Sequence, residues 1–119
     1  MLYPVCKIDD IKDNSMMLFK INHNGKILDI IIGKINQKLF ACNNHCPHMG
    51  ASLSKSELIP QDNRIICYLH DFEYDLFSGK LMKIPEQWQS QNQEWKKSGN
   101  LILYKVIESD DGRLSVDIH

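Results

Sequence analysis

An all-β antiparallel sandwich or barrel with one short helix is the fold class this sequence predicts, and three observations predict it. Short apolar runs recur along the 119 residues, each bounded by Asn, Asp, Gly or Ser. Two of the turn clusters, Asn22-His23-Asn24-Gly25 and Ser109-Asp110-Asp111-Gly112, separate β-branched or aromatic runs and mark hairpins. A single stretch, 85–100, breaks the β pattern with helix start and stop signals.

Taken in order, Met16 to Ile21 is the first expected strand, and the β-branched run Ile27 to Ile32 is its hairpin partner. Lys34 to Ala41 alternates in part and reads as one strand. Arg64 to Cys67 is a brief apolar strand. Phe72, Tyr74 and Leu76 share a face of another, because alternate strand residues point the same way, and that strand ends at Ser78-Gly79. The helix opens at Pro85-Glu86-Gln87-Trp88 and closes at Trp95-Lys96-Lys97-Ser98-Gly99-Asn100. Trp88 and Trp95, two turns apart, share its face and either cap an open barrel end or form a docking patch. Leu101 to Ile107 and Arg113 to Ile118 make the closing hairpin. No internal repeat breaks the chain, so one domain over 1–119 is expected.

The charge balance excludes some partners. Fourteen Lys and Arg stand against 15 Asp and Glu, a formal net charge of -1, which is no footprint for a phosphate backbone. The longest apolar runs fall far short of the roughly 20 residues of a membrane-spanning helix. The start, Met1 to Cys6, shows no cationic segment followed by an apolar block, so a cytoplasmic location is the expectation. No oligomer signal is visible, and a monomer without nucleic-acid or membrane partners is expected. Four cysteines in a secreted chain would suggest disulfides, but here reduced thiols or metal ligands fit better. Cys6 and Cys42 lie beside apolar residues and read as small core side chains.

The chemistry concentrates in two short motifs, Cys46-Pro47-His48 and Cys67-Tyr68-Leu69-His70, separated by residues 49–66. Cys46, His48, Cys67 and His70 form the donor set of a metal centre, two thiolates and two imidazoles. Pro47 stiffens the first loop by fixing its own φ, and Gly50 lets the chain turn away. The second spacing is that of a knuckle whose amides face the sulfur. Zinc takes such a set readily. An all-cysteine iron–sulfur cluster fails on spacing, because Cys42, Cys46 and Cys67 follow neither ferredoxin pattern. A two-iron, two-sulfur cluster with two Cys on one iron and two His on the other remains.

The segments Cys46-Pro47-His48-Met49-Gly50-Ala51 and Cys67-Tyr68-Leu69-His70, with Phe72-Glu73-Tyr74-Asp75 and Ser78-Gly79-Lys80 after them, resemble the two cluster-binding loops of Rieske proteins. The small soluble ferredoxin type of oxygenase systems is the nearest in kind. Leu39-Phe40-Ala41 resembles the strand entering the first loop, and Leu101 to Ile118 the closing hairpin. The resemblance implies a Rieske-like sandwich or barrel with a small cluster-binding subdomain over about 42–78, and one 2Fe–2S cluster. Cys46 and Cys67 would hold its inner iron, and His48 and His70 the outer, partly exposed one.

Several departures from the family pattern carry consequences. Ala51 and Leu69 stand where Rieske domains of respiratory and photosynthetic complexes place a disulfide over the cluster, so packing and hydrogen bonds must hold the loops here. Phe72 replaces a serine that donates to a bridging sulfide, while Tyr74 keeps the tyrosine that reaches a ligand sulfur. Losing a donor lowers the potential, toward the low part of a range of about −150 to +300 mV. Asp71 replaces the usual small residue after the second histidine, and 49–66 is slightly longer than usual, to be absorbed by a surface loop around Ser54 to Asn63. His45, next to Cys46, should face solvent or a partner; His23 and His119 read as turn and terminus residues.

By resemblance the protein is an electron carrier, not an enzyme in its own right. It would pass one electron from a flavoprotein reductase to an acceptor such as a terminal oxygenase, with Met49, Leu53 and Leu69 forming a small apolar contact around the ligands. The alternatives are a small subunit of a nitrite-reductase-like complex and a zinc-stabilised interaction module on the same scaffold.

Overall fold

Turn chemistry sets the large sheet. The computed structural model describes residues 1–47, 50–69, 71–85 and 99–119. Asn24 and Gly25, both at positive φ, fold strand β2 (Ser15–His23) onto β3 (Lys26–Ile35), paired from Ser15↔Lys34 to His23↔Lys26. Asn36 and Gln37, at φ 50° and 65°, then reverse the chain into β4 (Lys38–Asn43). The expected single strand Lys34 to Ala41 is therefore two strand ends joined by a two-residue turn. Both turn residues take left-handed backbone, the geometry that matches the strand twist, although neither is glycine.

β1 (Leu2–Lys7), β9 (Leu103–Glu108) and β10 (Arg113–Asp117) complete a six-stranded antiparallel sheet in the order β1-β10-β9-β4-β3-β2. A four-stranded sheet follows chain order: β5 (Glu57–Ile59), β6 (Arg64–Ile66), β7 (Glu73–Asp75) and β8 (Leu81–Lys83). Ser54 to Asn63 is thus not a bare loop, since β5 lies within it. The helix expected over 85–100, with Trp88 and Trp95, lies almost wholly outside the described residues.

The isoleucine run of β3 is buried on both faces. Ile30 and Ile32 join Ile21, Ala41, Leu114 and Val116 in a core to which all six strands of the large sheet contribute. Ile31 and Ile35 face the other way with Phe40 and Cys42, into a second core shared with the small sheet. A strand covered on both faces loses the polar alternation of a half-exposed one, which is why this run is continuous. Each fully buried isoleucine contributes about 1.5–3 kcal/mol, so β3 is the beam between the two cores.

Two polar contacts fix the sheet ends. Tyr3 Oη lies 2.6 Å from His23 Nδ1, with the rings edge to face, and brings β1 to β2 across the sheet edges. His23 is therefore a clasp and not a plain turn residue. Asn36 Nδ2 donates to Pro60 O at 2.7 Å and to Asn63 Oδ1 at 2.8 Å, tying the β3–β4 turn to the β5–β6 turn.

Gly33 is where the large sheet has no room. A Cβ there would stand 2.5 Å from the Ser15 carbonyl oxygen and 2.6 Å from the Phe40 ring, which packs across it from β4. Gly33→Ala should destabilise the protein by about 1–3 kcal/mol through forced repacking, read as a lowered midpoint in urea with an unchanged m-value. A variant as stable as the parent would show that Phe40 can move aside.

Candidate metal centre

The two cysteine motifs fold into matching loops. After β4, Cys46 N–H donates to Ala51 O at 2.8 Å and Gly50 N–H donates to Cys46 O at 2.7 Å. After β6, Cys67 N–H donates to Phe72 O at 2.8 Å and Asp71 N–H donates to Cys67 O at 2.9 Å. Each loop closes over six residues with the same two bonds, and the fifth residue of each has left-handed backbone: Gly50 at φ 71° and Asp71 at φ 58°. Asp71 thus occupies the position of Gly50 in the second loop, where aspartate is one of the few side chains that tolerate this backbone. Asp71, exposed, borders one surface hollow with Lys55, Glu57 and Tyr68 and another with Glu73, Lys83 and Pro85.

Cys46 and Cys67 are buried, at 2% and 1% exposure, and both thiols are free of disulfides. They share one apolar core with Ala51, Leu53, Phe72 and Tyr74. Tyr74, fully buried on β7, places its hydroxyl 3.4 Å from Cys46 Sγ, so the strand leaving the second loop reaches the cysteine of the first. Phe72, also fully buried, presents only a hydrocarbon ring. Of the four residues in the expected donor set, Cys46 and Cys67 come together in this core, while His48 and His70 lie outside the described residues. Among the described residues no three side chains of His, Cys, Asp or Glu converge as metal ligands. Two dry, unbridged thiols on matched loops fit a thiolate-held metal cluster, whose sulfur ligands need exclusion from water and from each other's oxidation.

The neighbours divide into those the sequence indicated and those it did not. His45 faces away from the cysteines: its Nε2 lies 3.8 Å from Asp29 Oδ2 on β3 and its Nδ1 lies 3.4 Å from Gly50 O, on a side chain that is more than half exposed. Leu69 is exposed at the second loop, and Tyr68 beside it equally so. Leu53, expected at the apolar rim, is instead completely buried, because the 3-10 turn Leu53–Lys55 rolls it into the core. Met49 lies outside the described residues. Sequence reasoning missed Asn44 and Ser56, two buried polar side chains that flank the first loop. Asn44 N–H donates to Asp29 O and Ser54 N–H donates to Asn44 Oδ1, each at 2.8 Å. The buried carboxylate of Glu73, held by Arg64 at 3.3 Å and Lys83 at 3.8 Å, braces β7.

Cys42 and Cys6 stay outside the cysteine loops. Cys42 is fully buried on β4, and burial pushes its thiol from an ordinary 9.0 up to about 12. Cys6 is half-buried on β1, and burial followed by the Asp10 carboxylate raises its thiol too. On the β7–β8 turn, burial disfavours the Asp75 carboxylate, but N–H groups of Ser78 and Phe77, each at 2.8 Å, outweigh it and hold its pKa below the usual range.

Comparison with known proteins agrees with this geometry. The family model described as Rieske [2Fe-2S] domain matches residues 1–102. The ferredoxin component of the alkene monooxygenase system of Xanthobacter autotrophicus is 26% identical over 76 residues, covering 64% of this chain and 58% of that protein. Cholesterol 7-desaturase of Caenorhabditis elegans is 26% identical over 83 residues, covering 70% of this chain and 19% of that protein. The chain thus spans less than two thirds of either curated relative. Among solved structures, the ferredoxin of carbazole 1,9a-dioxygenase from Nocardioides aromaticivorans IC177 superposes with a TM-score of 0.75 at 19% identity, over 98% of each chain. The fold is the same.

Cys42 supplies a test of this burial. Iodoacetamide at pH 8 should leave Cys42 unlabelled in the native protein and label it once the chain is unfolded. Its folded value lies above its unfolded one, so the neutral thiol stabilises the fold fully below about pH 9, and that contribution is lost as pH rises through about 12. Native labelling of Cys42, mapped by mass spectrometry, would show that the second core opens.

Proposed function

We propose that this chain, which belongs to the Rieske 2Fe–2S domain family, works as a one-electron carrier with its cluster held by Cys46, His48, Cys67 and His70. The observation that carries the reading is the pair of matched loops, each presenting a buried cysteine outside any disulfide to one apolar core. The Rieske-type cluster, when bound, supplies one-electron redox chemistry. The cysteines bind from the dry side of the loops. Phe72, Leu53 and Ala51 keep water from them, and against a ligating Cys46 thiolate the Tyr74 hydroxyl, 3.4 Å away, would be the donor and favour added negative charge there. Phe72 offers no second donor from the same strand face, which supports a potential in the low part of the family range.

The partners follow from chemistry and kinship. Tyr68 and Leu69, exposed beside His70 in sequence, give the second loop an apolar tip suited to a small, short-lived contact. The relatives whose names place them as ferredoxins of an alkene monooxygenase system and of carbazole 1,9a-dioxygenase support a terminal oxygenase as acceptor. A flavoprotein reductase is the proposed donor, and a cytoplasmic monomer the proposed form. Among the described residues no helix is long and apolar enough to cross a membrane.

The visible and electron paramagnetic resonance spectra of anaerobically purified protein, before and after dithionite, test the assignment. A coloured protein with a histidine-ligated 2Fe–2S signal on reduction is expected, and loss of that signal in His48→Ala and His70→Ala. A colourless sample holding one zinc and no acid-labile sulfide would replace the carrier by a zinc-held module.

Tyr74→Phe isolates one residue's part in the potential. Removing a hydrogen bond of net worth about 1 kcal/mol should lower the one-electron midpoint potential by roughly 40 mV. An unchanged potential by protein-film voltammetry would mean that the 3.4 Å contact does not distinguish the two redox states.

A further inference from the structure

The two cysteine loops are joined by a run of hydrogen bonds that uses side chains the sequence gives no reason to notice. Asn44, 3% exposed and directly after β4, is bonded at every polar position. Its N–H donates to Asp29 O of β3 at 2.8 Å, and its carbonyl accepts from Leu53 N–H at 2.7 Å. Its side-chain oxygen accepts from Ser54 N–H at 2.8 Å and its amide nitrogen donates to Ser52 Oγ at 2.8 Å. Asn44 therefore fixes the segment leaving the first loop to the large sheet. That segment ends in Ser56, whose N–H donates to Leu53 O at 2.9 Å. Ser56, 9% exposed, turns its hydroxyl oxygen toward the second loop, where it accepts the Tyr68 N–H at 3.0 Å. Tyr68 follows Cys67 directly, and β5 starts at the residue after Ser56, so this bond takes over where the β5–β6 ladder stops.

We propose that Ser56 is a positioning residue: its hydroxyl, anchored through Asn44 to β3, holds the Cys67 loop in place relative to the Cys46 loop. The inference rests on the reading of these loops as cluster ligands. None of the four cysteines is in a disulfide, so no covalent bridge of that kind joins the loops, and side-chain hydrogen bonds contribute to the tie. A side-chain hydroxyl suits the task because the Tyr68 amide lies past the last ladder pair, where no strand carbonyl is in register to accept it. Leaving that N–H unmet at a part-buried site would release the loop locally without removing any apolar packing. Ser52 and Ser54, whose hydroxyl oxygens lie 3.2 Å apart, serve the near side of the same run.

Three forms of the holoprotein test it: the parent, Ser56→Ala and Ser56→Thr. Peptide-resolved hydrogen exchange across 67–72 should quicken about tenfold in Ser56→Ala, with exchange over 30–32 in the β3 core unchanged. Absorbance loss in the presence of a chelator should quicken in the same variant, and its midpoint potential should move. Ser56→Thr, which keeps the hydroxyl, should return all three toward the parent values. Equal quickening in 67–72 and in the core would overturn the proposal, because Ser56 would then be one more stabilising contact. So would a lowered melting temperature with an unmoved potential, or a threonine variant that behaves like alanine. If the parent proved colourless, the carrier reading alone would fail, and the exchange comparison on the metal-free chain would still decide whether Ser56 ties the loops.

Discussion

Each cysteine loop closes on itself through the N–H of its own cysteine, Cys46 onto Ala51 and Cys67 onto Phe72, and the rest of the structure is arranged around that closure. A loop this tight reverses only if one residue accepts left-handed backbone. Gly50 does so without a side chain, and Asp71 does so with a short polar one. Once closed, each loop directs its cysteine into the same apolar core, while Tyr68 and Leu69 of the second loop are exposed. The four-stranded sheet is then a frame for the second loop: β6 delivers Cys67, and β7 carries away Phe72 and Tyr74 on the face that looks back at Cys46.

Placing two dry thiols at one end of a small domain demands a second core, separate from the one that stabilises the large sheet. β3 meets that demand by facing both ways, with Ile30 and Ile32 in one core and Ile31 and Ile35 in the other. Gly33, opposite Phe40 on β4, leaves room for the Phe40 ring in the second core. The rigidity of the large sheet is thereby transmitted to the first loop through β4, and Asn44 carries it onward from Asp29 to the segment before β5. Such a build suits the proposed electron-carrying role, since a site that moves little between charge states needs little reorganisation.

The parts of this design visible in the sequence are those with a chemical or periodic signature. The hairpins announced themselves by Asn-Gly and Asp-Gly turns, and Phe72, Tyr74 and Leu76 by alternation. The paired Cys and His motifs stood out because no core needs them. β1 escaped because Pro4 interrupts it, which an edge strand tolerates. β5 and β8, three residues each like β6 and β7, lack the alternating aromatics that extend past β7 and the apolar run that continues from β6 into Cys67. The β3–β4 turn was read through because Asn36-Gln37 lacks glycine. Leu53 looked like a rim residue because a single 3-10 turn decides its direction. Asn44 and Ser56 are silent for a deeper reason: their roles exist only once two distant loops are adjacent, and nothing in local sequence encodes a partner twelve residues away.

The two inward positions of the strand after Cys67 set the electronic character of the site in opposite senses. The Phe72 ring contributes exclusion of water and, being hydrocarbon, no side-chain donor that could stabilise additional negative charge. Tyr74, two residues on and equally buried, contributes the same apolar area and one hydroxyl, aimed at Cys46 Sγ. In a low-dielectric interior one such donor counts for more than it would at the surface, while burial itself works against the more negative state. Between these two side chains, the balance is therefore tilted by the Tyr74 oxygen. Neither residue is one of the four proposed ligands, so on that assignment the side chains at 72 and 74 would set the potential without altering a ligand.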